Sequence, residues 1–570
     1  MRLKLFLYAF AALSLFGASA AYGQSIAITN ARIVTVAGPT IEKGTVVIRD
    51  GIIESVGAET KAPADAQIID ANGLTVYPGF FDTWSSAGLQ ARPTPQPGGG
   101  QGGGGGFQAA QQAAAQAQPS NSNYPAGLRP EVSAADDLRA TEGQFDTIRN
   151  AGFTTTVSVG RTGIFNGRSA VINLSGDNVS AMLIKEPFAE HISFATIPGT
   201  YPGSLLGTFS ALRQMFYDAQ RLREWQKAYA ANPRGMKRPA DDKSLEALIP
   251  LLNRQMPVVF NANTENEIVR ALDLAKEFNL KAVIAGGQAA GSLTSRLKSQ
   301  DVPVLLSLNF PKRTAAAAPD ADPENLSTLR FRAEAQKTAA KLQQAGVKFA
   351  FQTGGLTTMN DFFTNAGKAV ENGLSKDAAV RAMTLSAAEI LDLNNRLGSI
   401  ENGKIANLAV VKNDIFAADR FVPYTVVDGK LYEQKEPVRG PGGGRGPGGG
   451  RQGGGGQGGA APPPVVATPN VAQVGGTYNI TIDVPGQTLT GTLVLRQQGE
   501  TINGAMTTQL GVTQISGGKA TSDGFTFAAS VEYGGANIDI AVKATVAGNA
   551  LNGTIDSPQG TVSITGTKVP

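Results

Sequence analysis

The 570-residue sequence contains no cysteine and a single histidine. The first absence excludes disulfides and thiolate metal sites, so packing alone must hold the fold, and a chain of this length can bury several ordinary cores. The second nearly excludes histidine chemistry, because imidazole is the commonest protein ligand for catalytic transition metals and the commonest general base. Net charge is also close to zero, with 50 Lys and Arg against 46 Asp and Glu. That balance points to no nucleic-acid or other strongly charged partner. Beyond the first residues no window approaches the roughly 18 uninterrupted apolar residues of a membrane-spanning helix.

Those first residues are informative. Met1-Arg2-Leu3-Lys4 is a short basic start, Leu5 to Phe16 is apolar, and Gly17, Ala18, Ser19 and Ala20 are small. This pattern predicts a signal peptide over 1–23, hence an exported chain, periplasmic or extracellular, with no transmembrane segment once the signal is removed.

Two low-complexity stretches punctuate the rest, Pro93 to Pro119 and Gly440 to Pro464. Neither can bury enough apolar surface to order itself. The first reads as an excursion from a loop of a folded unit, the second as the core of an interdomain linker over 436–474. Its Arg439, Arg445 and Arg451 among glycines read as solvated linker residues, export arguing against an RNA-binding role.

Ile26 to Val36, Gly44 to Arg49 and Ile52 to Val56 tend to alternate apolar and polar residues, with Asp50-Gly51 as a tight turn between the last two. From Leu74 to about Leu393, short apolar runs such as Val258-Val259-Phe260 and Phe349-Ala350-Phe351 alternate with helical periods, the pattern of a parallel α/β architecture. Thr264-Glu265-Asn266-Glu267 is a capping box ahead of a face formed by Ile268, Leu272, Ala275 and Phe278. A further helix is expected from Ser375 to about Leu393. The tail over 475–570 has only short alternating strands, and the patterns at Gly491, Gly504, Gly553 and Gly566 repeat one another. They predict an all-β barrel or sandwich of about eight strands, with the glycines assigned to hairpins.

Ile69-Asp70-Ala71-Asn72-Gly73-Leu74-Thr75-Val76-Tyr77-Pro78-Gly79-Phe80-Phe81-Asp82 closely resembles the amidohydrolase superfamily, nearest to its imidazolonepropionase-like and prolidase-like branch. The similarity continues through Asn150 to Thr156, Pro257 to Leu280 and Leu374 to Val411, covering roughly 25–435 with order and spacing kept. The resemblance implies a (β/α)8 TIM-like barrel over 76–395 and a composite β-sandwich from 24–75 and 396–435. It also implies an active site at the C-terminal ends of the barrel strands.

Family members end their first barrel strand with His-x-His, two metal ligands. The matching positions here are Trp84 and Ser86. Further ligand positions of the family fall on Asn261-Ala262-Asn263, on Gly286 and, for the metal-binding aspartate, on Gly354. Such enzymes use Zn or another divalent metal to lower the pKa of bound water from about 15.7 to roughly 7, and a carboxylate to take its proton. Asn, Trp and Gly are poor replacements for imidazole and carboxylate. The expectation is therefore no cofactor, no catalytic residue and a non-hydrolytic relative that binds a small molecule or a partner at the barrel mouth. Two other readings compete: an active C–N bond hydrolase with an atypical site, and an interaction subunit of an active relative, as a homo- or hetero-oligomer.

Asp82 and Ser85 are candidate ligand contacts, Asp82 more simply a strand-end hydrogen-bonding residue. Trp84 either plugs the vacated cavity or offers an aromatic wall. His191 matches no ligand position and reads as structural or surface. A Ser85 or Ser86 nucleophile would need an unusual base such as Lys185.

Overall fold

The computed structural model describes residues 25–90, 124–125, 127–139, 143–176, 178–196, 201–313, 324–356, 358–436 and 472–569, apart from the turn residues 485–486, 499–500, 509–510, 534–535 and 558–559. The expected signal segment, the 93–119 excursion and the glycine tract with Arg439, Arg445 and Arg451 lie outside the described residues. The chain divides into two compact units, an α/β unit that ends before residue 443 and an all-β unit that follows. No helix among the described residues is long and apolar enough to cross a membrane.

The α/β unit begins with β1 (Ile26–Ile33), β2 (Ile41–Arg49), β3 (Ile52–Gly57), β4 (Gln67–Asp70) and β5 (Leu74–Pro78). Asp50 and Gly51 both take positive φ, 52° and 80°, so the β2–β3 turn is the tight hairpin that its Asp-Gly pair predicts. Ten strands follow: β6 (Phe80–Ser85), β7 (Phe153–Ser158), β8 (Phe165–Arg168), β9 (Ala170–Asn173), β10 (Leu183–Lys185), β11 (Glu190–Ser193), β12 (Val258–Ala262), β13 (Ala282–Gly286), β14 (Val304–Ser307) and β15 (Phe349–Gln352). The unit closes with β16 (Leu408–Lys412), β17 (Phe421–Val427) and β18 (Lys430–Glu433).

The two flanks of this unit share one sheet, β18-β17-β16-β5-β1-β2-β3, with β4 beside β1. Their seam is the antiparallel pairing of Leu408 with Pro78 and Val410 with Val76. One continuous sheet therefore stands where two facing sheets were expected. It curls until Ile53 N–H donates to Lys404 O at 2.8 Å, and it encloses Ile28, Val46, Ile53, Leu408 and Val426.

Strands β11 to β15 run parallel in sequence order, and β6 pairs parallel with β7. Between β7 and β11 the pattern departs from strict strand-then-helix. β8 and β9 are nearly one extended segment, β9 antiparallel to β7 and β8 antiparallel to β11. Only residues 159–164 join β7 to β8, too few for the dozen or more that a parallel crossover requires. The helices pack as their patterns predict. The Thr264 hydroxyl accepts Glu267 N–H, the Glu267 carboxylate accepts Thr264 N–H at 2.9 Å, and Ile268, Leu272, Ala275 and Phe278 are all buried. The helix expected from Ser375 to Leu393 breaks into Lys376–Met383 and Leu385–Ile390. At the break Thr384 leaves helical geometry and turns its hydroxyl back to Val380 O, a local bond that competes with the helical ladder.

The all-β unit contains β19 (Gly476–Val484), β20 (Gln487–Gln498), β21 (Thr501–Thr508), β22 (Gly511–Ala520), β23 (Gly524–Tyr533), β24 (Ala536–Ala547), β25 (Ala550–Ser557) and β26 (Gly560–Lys568). Each pairs with the next and β26 with β19, giving a closed barrel around Tyr478, Leu493, Phe525 and Ile564. The repeated glycines lie within strands and not in hairpins. A Cβ at Gly504 would meet Val494 O at 1.9 Å, and one at Gly491 would meet Thr507 O at 2.0 Å, so these positions let neighbouring backbones close in as the barrel curls.

Candidate functional site at the strand ends

Several apolar strands of the α/β unit carry polar residues at or near their ends, and some of these meet at the C-terminal edge of the parallel strands. Asp82 on β6 is 4% exposed. Its carboxylate accepts Thr353 N–H at 3.0 Å, the Thr353 hydroxyl at 2.8 Å and Trp84 N–H at 3.3 Å. With the bond from Thr83 Oγ1 to Phe351 O at 3.0 Å, these contacts join β6 to β15. Burial pushes the Asp82 carboxyl up to about 6, because the charged form loses its hydration. The Thr353 and Trp84 hydrogen bonds and the Arg161 charge pull in the opposite direction without cancelling that effect.

Trp84 is half-buried, and the Arg161 guanidinium lies 4.9 Å from its ring centroid. The indole Nε1 is buried and has no hydrogen-bond partner among the described residues. Ser85 turns inward to accept Ala87 N–H at 3.0 Å, while Ser86 is exposed. Lys185 donates to Leu391 O and to Asp392, so it forms no pair with Ser85.

Asn261, at the end of β12, donates to Ser193 Oγ at 2.9 Å and to Asn166 Oδ1 at 3.2 Å, and Ser193 donates to Asn166 Oδ1 at 2.6 Å. The three form a neutral network across β8, β11 and β12. Gly286 and Gly354, both at positive φ, are more constrained than their small size suggests. A Cβ at Gly286 would meet Asn263 Oδ1 at 2.4 Å, and one at Gly354 would meet Ser307 Oγ at 2.0 Å. Asn263 and Ser307 therefore occupy the space that a side chain at either glycine would need.

Asp82, Trp84, Ser85, Ser86, Asn261, Asn263, Gly286 and Gly354 are the residues expected at the site from the sequence. The structure brings Asp82 and Trp84 together around Thr353 and Arg161, and it places Asn263 against Gly286. Thr353, Arg161, Asn166, Ser193 and Ser307 were not anticipated. Their signal was the polar residue that closes one apolar strand after another: Ser158, Ser193, Asn261, Ser307 and Gln352. His191 is fully buried, with Nε2 2.9 Å from Ser169 Oγ and Nδ1 without a partner among the described residues. Burial pushes its pKa down to about 3.

The amidohydrolase family profile matches residues 320–432, from before β15 through the closing helices to β18. The 5'-deoxyadenosine deaminase of Methanosarcina mazei is 46% identical over 67 residues, which are 11% of this chain and 15% of that protein. The chain thus spans only a small part of that relative's length. An amidohydrolase from Thermotoga maritima superposes with a TM-score of 0.58 at 24% identity, over 72% of this chain and all of the other. A zinc-bound adenosine deaminase from Xanthomonas campestris aligns over 72% of this chain and 92% of its own, at 14% identity and a TM-score of 0.37.

The α/β unit has an amidohydrolase-type fold, and residues 320–432 within it match the amidohydrolase family profile. That match corrects the expectation of no cofactor, since the profile is that of a metal-using family. The side chains that the sequence resemblance aligns with metal ligands are not of the kind that holds such an ion. Trp84, Ser86, Asn261, Asn263, Gly286 and Gly354 supply neither imidazole nor carboxylate. Among the described residues, no group of three or more His, Cys, Asp or Glu is placed to hold a metal.

Proposed function

We propose that the α/β unit closes its two inner sheets into a (β/α)8-type barrel. At the mouth of that barrel it binds a small polar molecule without hydrolysing it. The observation that carries this reading is the filling of Gly286 by Asn263 and of Gly354 by Ser307. On the alignment that the sequence resemblance implies, this is the ground of the family's catalytic groups, and the side chains that fill it are neutral. The Asn166–Ser193–Asn261 network supplies hydroxyl and amide groups suited to a ligand amide or hydroxyl, and Trp84 with Arg161 supplies an aromatic and cationic wall.

The test pairs binding with turnover, using a panel of N-acyl amino acids, dipeptides and cyclic amides. A compound that changes Trp fluorescence, is recovered unchanged and loses affinity in Asn261→Ala supports the reading. Stoichiometric zinc with chelator-sensitive hydrolysis overturns it.

A second reading, an active C–N bond hydrolase with an atypical site, is favoured by one observation. The Asp82 carboxyl, pushed up to about 6, lies where it can exchange a proton near neutral pH. This reading predicts turnover whose pH profile follows that group and which Asp82→Asn abolishes.

A further inference from the structure

A cavity of about 340 Å³ lies at the opposite edge of the parallel strands. Pro257 and Lys281, which immediately precede β12 and β13, line it, together with Arg168 at the end of the reversed β8. Its apolar wall includes Phe188 and Met256, both buried, and the half-buried Ile390.

The charges around this cavity do not balance. Lys185 is satisfied by Asp392 at 3.2 Å and Leu391 O at 3.0 Å. Lys281 has neither an ion pair nor a hydrogen bond from its ammonium group among the described residues. Arg168 donates one guanidinium nitrogen to Glu131 O at 2.8 Å, but its Nε is buried without a partner.

The acid that stands opposite Arg168 in the β8–β11 register is Glu190. It is fully buried, both of its carboxyl oxygens lack partners, and it forms no ion pair with Arg168. Burial holds its carboxyl well above the ordinary carboxylate range, outweighing the opposing pull of the Arg168 charge and the Gly167 N–H. Two cations beside an apolar wall, neither in an ion pair among the described residues, form the complement of an amphiphilic anion. Buried polar groups are ordinarily satisfied, so the bare Arg168 Nε marks where an acceptor is missing.

We propose that this cavity binds an organic monocarboxylate, its carboxylate held between Arg168 and Lys281 and its apolar body against Phe188, Met256 and Ile390. The planar guanidinium fork suits a carboxylate, and the volume lies at the small end of ligand pockets.

Isothermal titration of the full chain with octanoate tests the proposal, with octan-1-ol and inorganic phosphate as probes of tail and charge alone. Saturable octanoate binding is expected at one site that neither probe occupies comparably. At least ~10-fold weaker binding is expected in Lys281→Met and in Arg168→Gln, and unchanged binding in Arg161→Gln at the other strand edge. Lys281 is exposed, so its variant keeps the fold and decides the question even where Arg168→Gln unfolds. Absence of saturation at millimolar octanoate, undiminished affinity in Lys281→Met, or equal binding of octan-1-ol or phosphate would overturn it.

Discussion

Replacing Asp82 by Asn tests the electrostatics of the candidate site most directly. The side chain keeps its shape, and the Thr353 hydroxyl can rotate to accept from the new amide while Thr353 N–H still donates to its oxygen. The native carboxyl titrates at about 6, against 3.8 when exposed. A raised folded-state value means that its stabilising contribution is fully present below 3.8 and is lost as pH rises through 6. The complete effect is about 3 kcal/mol, of which ~2 kcal/mol falls between pH 4.5 and 8. Relative to the parent, Asp82→Asn should therefore gain about 2 kcal/mol across that interval. Urea unfolding followed by Trp fluorescence measures this, because both tryptophans, Trp84 and Trp225, lie in the α/β unit. A stability difference that is flat in pH, or that falls as pH rises, would refute the argument that burial dominates at Asp82.

At Gly286, Ala should destabilise the α/β unit by about 2 kcal/mol through its positive φ and its clash with Asn263, and Asn263→Ala should recover part of the loss in a double-mutant cycle. His191, pushed down to about 3, contributes stability that is present above its ordinary 6.5 and is lost as pH falls toward 3. In His191→Gln, the slope of stability against pH should consequently fall by ~1.4 kcal/mol per unit between those values, read from urea unfolding at a series of pH values. In the all-β unit, Gly504→Val places a Cβ against Val494 O and should abolish barrel closure, seen as lost strand signal in circular dichroism.

Much of the fold was legible because it follows from local rules. The Asp50-Gly51 hairpin, the Thr264 capping box and the buried stripe from Ile268 to Phe278 each need only neighbouring residues, and each is present. The reversed β8–β9 segment escaped prediction because apolar runs carry no direction. The length of the 159–164 connection was the available clue. The strand glycines of the all-β unit were misassigned to hairpins for a similar reason: composition records a glycine but not which backbone approaches it.

The sequence by itself determined the α/β and all-β classes of the two units and the resemblance to the amidohydrolase superfamily, since these depend on residue identity and order. Tertiary structure decided which residues come together. Asp82 meets Thr353 across 271 positions, Asn261 meets Asn166 across 95, and Arg168 and Lys281 come to line one cavity. Such contacts arise when the strands align side by side, and burial then raises the pKa of Asp82 and Glu190 and lowers that of His191 through a loss of hydration that no linear pattern records.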